Sequence, residues 1–172
     1  MKALIVVDMQ YDFIDGALGS EEARSIVGNV RDKVAQYRAS QFPVIYTQDT
    51  HSADYLQTQE GRNLPVVHCV KGTRGWEIVP EVLTGEATLI EKHGFGSLKL
   101  VEHLAALPGL EAVELVGVCT DICVVSNALL IKSAFPELPV AVDALCCAGV
   151  TPESHRQALE TMKMCQVKVL GL

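Results

Sequence analysis

Short runs of aliphatic and β-branched residues alternate along this chain with longer stretches of helical periodicity, and that alternation restricts its fold more than any other feature. Parallel strands cannot be joined by tight turns, so the intervening helices serve as crossovers and cover a parallel sheet on both faces. The spacing predicts strands at Ala3–Val7, Val44–Thr47, Thr88–Glu91, Ala112–Val116, Val140–Val142 and Val167–Leu170. The expected class is α/β, three layers built on a six-stranded, mostly parallel sheet. Helix signals fall between the strands. Ser20 stands before Glu21-Glu22 and a stripe of Ala23, Ile26, Val27, Val30, Val34 and Tyr37. Ser97 opens Leu98–Leu107, which Pro108-Gly109 stops, and Thr151-Pro152-Glu153 opens a helix to about Met164.

With 172 residues and no linker, repeat or low-complexity segment, residues 1–172 read as one domain large enough to bury a core without staples. Hydrophobic residues are 49% of the chain and charged ones 20%, which excludes a disordered chain or a charged coiled coil. The net charge of -7, with no basic run, argues against nucleic acid or an anionic membrane as partner and favours a small-molecule substrate. The apolar run Met1–Val7 meets Asp8 at once, too early for a signal-peptide core or a membrane span. A cytoplasmic location follows as the expectation, and with it six reduced cysteines that are fillers, metal ligands or nucleophiles.

Ligands of open parallel sheets bind beyond the carboxyl ends of the strands. After the successive strands stand Asp8, then Asp49 and His51, then Lys92 and His93, then Cys119, Thr120, Asp121 and Cys123. The segment Gly117–Val124 runs from strand to apolar helix, Val124–Ala134, so Cys123 falls in a first turn, where free N–H groups favour a thiolate and could hold an oxyanion. Asp8 could accept the thiol proton, and Lys92 could hold both groups in register. The same residues also read as a buried small hydrophobe, a turn cap and a solvated strand end.

Val6-Val7-Asp8-Met9-Gln10-Tyr11-Asp12-Phe13, Glu91-Lys92-His93-Gly94-Phe95-Gly96-Ser97, Gly117-Val118-Cys119-Thr120-Asp121-Ile122-Cys123-Val124 and the late Val142-Asp143-Ala144 with Thr151, His155 and Ala158-Leu159 together resemble the isochorismatase-like cysteine hydrolases, and within them the nicotinamidase/pyrazinamidase branch. The resemblance spans nearly the whole chain. It implies a catalytic triad of Asp8, Lys92 and Cys123, and a cis Val118–Cys119 peptide that turns the N–H groups of Cys119 and Cys123 into an oxyanion hole, with the Cys119 side chain structural. It also implies a homo-oligomer.

Asp49-Thr50-His51 could offer two metal ligands from one extended segment, and His68 lies seventeen residues beyond His51 in the same long connection, Gln48–Ala87. Metal-dependent nicotinamidases resemble this arrangement. Where many members place another His, this chain has Gln57, so Glu60 becomes the fourth candidate and Asp54 the second choice. Two His and two carboxylates suit a divalent Zn, Fe or Mn rather than Cu or Mg. Phe13 and Leu18 are the candidates for packing a substrate ring, with Trp76 behind them. His93, His103 and His155 receive no role, and Cys69, Cys146, Cys147 and Cys165 are taken as packing.

The activity implied is metal-dependent hydrolysis of nicotinamide to nicotinate and ammonia through a thioester on Cys123. The alternatives are cleavage of another small amide or carbamoyl compound by the same residues, and a non-catalytic metal-binding or partner module.

Overall fold

The computed structural model describes residues 1–172. The strands are β1 (Lys2–Val7), β2 (Val44–Asp49), β3 (Thr88–Lys92), β4 (Ala112–Val118), β5 (Val140–Ala148) and β6 (Lys168–Leu170). They form one sheet in the order β3-β2-β1-β4-β5-β6, with every pairing parallel. The helices are α1 (Tyr11–Ile14), α2 (Glu21–Ala39), α3 (Gln59–Asn63), α4 (Leu98–Ala106), α5 (Val125–Ala134) and α6 (Pro152–Met164).

Side chains of a strand alternate between faces, and β1 shows how that builds both layers of core. Leu4 and Val6 pack with Val30 and Val34 of α2, whereas Ala3, Ile5 and Val7 pack with Leu100 and Leu104 of α4, Ile131 of α5 and Leu159 and Met162 of α6. Each of these larger aliphatics, removed from water, contributes about 1.5–3 kcal/mol. Side-chain caps define the helix starts: Ser20 Oγ accepts from the Ala23 N–H, Ser97 Oγ from Leu100 and Thr151 Oγ1 from Ser154.

The chain leaves β1 for β2 and β3 on one side, then returns as β4 on the other side of β1. That reversal opens a crevice at the carboxyl ends of β1 and β4. Gly117 makes the close approach there possible: its φ is +116°, and a Cβ on it would stand 2.2 Å from the Val7 carbonyl oxygen. The Val118–Cys119 peptide that follows is cis.

The structure extends several expected elements. β5 runs to Ala148, past the Val142 end suggested by apolar patterning, because the charge of Asp143 is matched by Lys33 at 2.7 Å. The four residues of α1 are too few to show a helical period. The long connection after β2 is locally ordered, holding α3 and two 3₁₀ turns, Tyr55–Gln57 and Arg74–Trp76. The bridge His51↔Val70 closes it on itself, and Gln10↔Ile78 ties it to the segment just after β1. Cys165 is exposed after α6 rather than packed, whereas Cys69, Cys146 and Cys147 are buried. No helix is long and apolar enough to cross a membrane.

Candidate active site

Four strand ends deliver one polar cluster. Asp8 follows β1 directly, Asp49 and Lys92 are the last residues of β2 and β3, and Cys123 lies in a π-helical turn, Thr120–Val124, between β4 and α5. Asp8 takes a left-handed φ of +50°, which aspartate tolerates better than most residues.

Lys92 is the hub. Its Nζ stands 2.7 Å from Asp8 Oδ2, 3.0 Å from Asp49 Oδ1, 3.0 Å from the Gly94 carbonyl oxygen and 3.4 Å from Cys123 Sγ. The lysine is 2% exposed and Asp8 is wholly buried. Burial alone would discharge the ammonium, but the charges of Asp8 and Asp49 outweigh it and hold Lys92 protonated. At Asp8 burial wins instead: it raises the carboxyl above the usual range, and Lys92 only partly offsets that. Thr47 Oγ1 donates to Asp8 Oδ1 at 2.6 Å, while Oδ2 meets the lysine as an ion pair without an aligned hydrogen bond. Cys123 Sγ and the Asp8 carboxylate meet at the same ammonium. Burial and the Asp8 charge push the Cys123 thiol well up, outweighing Lys92, so the turn holds a neutral thiol at rest rather than a standing thiolate. The arrangement pairs a protonated thiol with an unusually basic carboxylate.

Beside these residues Asp49, His51, Glu60 and His68 converge, one ligand atom from each lying within 4.8 Å of all the others. His51 Nε2 is 3.0 Å from Asp49 Oδ2 and 3.6 Å from Glu60 Oε1; His68 Nε2 is 3.7 and 3.8 Å from the same two oxygens. Ligands around a tetrahedral ion with bonds of about 2.1 Å stand roughly 3.4 Å apart, so the four atoms suit one small divalent cation. His68 Nδ1 donates to the Val66 carbonyl oxygen at 2.7 Å, which leaves Nε2 with its lone pair toward the cluster. Burial opposes charge on Asp49, but the hydrogen bond from His51 and the charge of Lys92 hold its carboxyl well below the usual range. Asp49 thus touches both clusters, Lys92 with one oxygen and the imidazoles with the other.

The two clusters share a cavity of about 460 Å³ whose apolar wall includes Phe13, Leu18, Phe95, Ile122 and Val150. Ser20, Asp49, Glu60, His68 and Cys123 are among its polar groups, and no Lys or Arg lines it. Phe13 and Leu18 are at the wall as expected, but Trp76 is elsewhere: its Nε1 donates to Thr50 Oγ1 at 2.9 Å. Asp54 accepts from Ser52 and stays outside the metal-type cluster, which leaves Glu60 as the fourth ligand atom. Cys119 lines the cavity, and burial pushes its thiol up to about 12. His93 bonds the Thr50 carbonyl oxygen at 2.9 Å.

Three supporting side chains carried no role in the sequence. Gln10, fully buried, accepts from the Asp49 N–H at 2.7 Å and donates to the Asp49 carbonyl oxygen at 2.8 Å, fixing both backbone groups of that residue. Asn127 accepts from the Ser97 N–H at 3.0 Å and donates to the Cys123 carbonyl oxygen at 2.8 Å, joining the Cys123 turn to the segment after Lys92. Thr47 orients Asp8. Gln10 belongs to the first motif, and a polar residue within an apolar strand end was the available signal for Thr47.

The Isochorismatase domain family matches residues 2–172. The nicotinamidase/pyrazinamidase of Mycobacterium tuberculosis is 28% identical over 186 residues, covering 99% of this chain and 98% of that protein. The nicotinamidase of Schizosaccharomyces pombe is 27% identical, covering 98% of this chain and 92% of that protein. Among solved structures, the zinc complex of a Pyrococcus horikoshii pyrazinamidase superposes with a TM-score of 0.88 at 30% identity, over 99% of each chain. The N-carbamoylsarcosine amidase of Thermoplasma acidophilum gives a TM-score of 0.81 at 28% identity, over 98% of this chain and 95% of that one.

Proposed function

The chain belongs to the isochorismatase family of hydrolases, and we propose that it hydrolyses the carboxamide of nicotinamide to nicotinate and ammonia through a thioester on Cys123. The observation that carries this reading is the contact of one buried ammonium, Lys92, with Asp8, Asp49 and Cys123 at a largely apolar cavity.

In the proposed reaction a carboxamide lies in the cavity with its carbonyl carbon at Cys123 Sγ. Asp8 takes the thiol proton as sulfur attacks, and a carboxyl raised by burial is better matched to that task than an ordinary one. The oxyanion of the tetrahedral intermediate points to the N–H groups of Cys119 and Cys123. Asp8 returns the proton to the departing nitrogen, ammonia leaves and the thioester remains. Water then attacks with Asp8 again as base, releasing the carboxylic acid and the thiol. Throughout, Lys92 keeps its charge and fixes Asp8 against Cys123. Phe13 and Leu18 pack the ring. A divalent cation of the Zn, Fe or Mn type would be held by Asp49, His51, Glu60 and His68, and when bound it supplies a Lewis-acid anchor for a ring nitrogen.

The likeness to an N-carbamoylsarcosine amidase raises a carbamoyl substrate with a free carboxylate as the second reading. The cavity lining speaks against it: no Lys or Arg lines the cavity to offer a carboxylate a partner. Ammonia release from nicotinamide, assayed as isolated, after chelation and after readdition of each metal, tests substrate and metal requirement together. Turnover of N-carbamoyl amino acids with none of nicotinamide would reverse the order of the two readings.

A further inference from the structure

The last helix grips the nucleophile turn at a point that the chemistry above leaves unused. Thr120, the first residue of the π-helical turn, is wholly buried, and its Oγ1 lies 2.8 Å from Nδ1 of His155 in α6. The next residue makes a second link: the Asp121 carboxylate accepts the Val150 N–H, at 3.2 Å to each oxygen. Gly149, just before Val150, lines the cavity, and a Cβ there would stand 2.9 Å from the His155 backbone nitrogen and Cβ. The end of β5 and the start of α6 are therefore in contact with no room for adjustment. His155 is itself anchored, since its N–H donates to the Thr151 carbonyl oxygen at 3.0 Å and Thr151 caps the helix in a reciprocal pair with Ser154.

A buried threonine hydroxyl costs stability unless it has a partner, and a valine of the same shape would fill the space without that cost. The hydroxyl is present together with an imidazole from an element that does not reach the cavity. Thr120 directly follows Cys119, whose carbonyl oxygen accepts from the N–H groups of Ile122 at 3.1 Å and Val124 at 3.0 Å, so any shift of Thr120 moves the backbone on both sides of Cys123.

We propose that His155 is a positioning residue for catalysis. Through the Thr120 hydroxyl it fixes the turn so that the N–H groups of Cys119 and Cys123 face the developing oxyanion. Oxyanion donors stabilise a transition state only when they are set in place beforehand, so loosening one end of the turn lowers the chemical step rather than binding. Burial lowers the His155 pKa, which keeps the ring neutral and able to accept from the hydroxyl. This role rests on the amidase reading.

The test compares His155→Ala, His155→Asn and Thr120→Val on nicotinamide hydrolysis, together with the rate at which iodoacetamide alkylates Cys123, followed by peptide mass spectrometry. His155→Ala and Thr120→Val are each expected to lower kcat by about tenfold or more with KM nearly unchanged, a part of the loss seen when an oxyanion donor is removed outright. The double variant is expected to be no worse than either single one. His155→Asn, which returns a polar atom near the Nδ1 position, restores most of kcat. Cys123 alkylation shifts severalfold in His155→Ala and recovers in His155→Asn, and this reading holds even if nicotinamide proves not to be the substrate. An additive double variant, or an alkylation rate that stays at the wild-type value in His155→Ala, overturns the proposal. Absence of nicotinamide turnover in the wild type, with the alkylation effect intact, overturns the amidase reading alone.

Discussion

Thr47→Val isolates the tuning of the candidate base, because it keeps the shape of a fully buried side chain and exchanges one hydroxyl for a methyl. The lost contact is the 2.6 Å hydrogen bond from Thr47 Oγ1 to Asp8 Oδ1, donated to a carboxylate that is wholly buried. A hydrogen bond to a charged group contributes about 1.5–3 kcal/mol. Each pKa unit corresponds to about 1.4 kcal/mol, so the charged form of Asp8 loses roughly one to two units of support. The sign is upward, since the bond favours the carboxylate, and it adds to a pKa that burial has already raised. Because Asp8 and Cys123 exchange one proton, the shift belongs to the pair and is read as the acid limb of kcat/KM against pH. That limb is expected to move to higher pH by about one unit or more, with the plateau above it largely kept. Stability gives an independent check on the sign. A carboxyl whose folded pKa lies above its unfolded one withdraws stability as pH rises through that interval, and Thr47→Val widens the interval. Urea unfolding should show a deficit of about 1.5–3 kcal/mol at neutral pH. It shrinks to the about 0.5–1.5 kcal/mol of a neutral hydrogen bond where Asp8 is protonated in both states. An unmoved acid limb, or a deficit that does not change with pH, would refute the account of Asp8 as a carboxylate held basic and steadied by Thr47.

The remaining predictions concern other parts of the molecule. Cys123→Ala should abolish ammonia release, and alkylation of the wild type should label Cys123 and the exposed Cys165, with substrate suppressing only the Cys123 adduct in peptide mass spectrometry. Glu60→Gln should lower bound metal, measured by elemental analysis after dialysis, by about tenfold or more in affinity while leaving the melting temperature of the metal-free protein nearly unchanged, since Glu60 lies at the partly exposed edge of the cluster. Gly117→Ala should cost at least about 2 kcal/mol in urea unfolding, because both its positive φ and the 2.2 Å approach to the Val7 carbonyl oxygen oppose a side chain.

The sheet was legible because its central strands are short aliphatic runs, and Asp8, Asp49 and Lys92 mark the ends of the first three. For the same reason the grouping of Asp8, Asp49, Lys92 and Cys123 could be read from the chain: in a parallel sheet every strand points its carboxyl end at one rim. Spacing could not decide between Asp54 and Glu60. Thr58 caps α3 and sets Glu60 in its first turn toward the imidazoles, whereas Asp54 closes on Ser52, and these are consequences of local turns with no periodic signal. Gln10, Asn127 and His155 were invisible for another reason. They act on residues 39, 30 and 35 positions away, through backbone groups or a hydroxyl that any residue pattern would leave unmarked. The thiol's protonation also needed the structure. A first-turn position argues for a thiolate, but complete burial beside Asp8 reverses the balance. The exposed Cys165 and the inward-donating Trp76 show that hydrophobic character alone does not tell a wall residue from a surface or bracing one.

The carboxylate of Asp49 has a consequence for how such an enzyme can diversify. One of its oxygens belongs to Lys92 and the other to the imidazoles of His51 and His68, so under the proposed roles a substitution there disturbs the reacting centre and the cation seat at once. Glu60 touches only the imidazoles and stands nearer solvent. A lineage can therefore explore new metals, or dispense with one, by changing Glu60 while its hydrolytic machinery stays intact. Asp49, answering to two tasks, is the position at which such drift is barred.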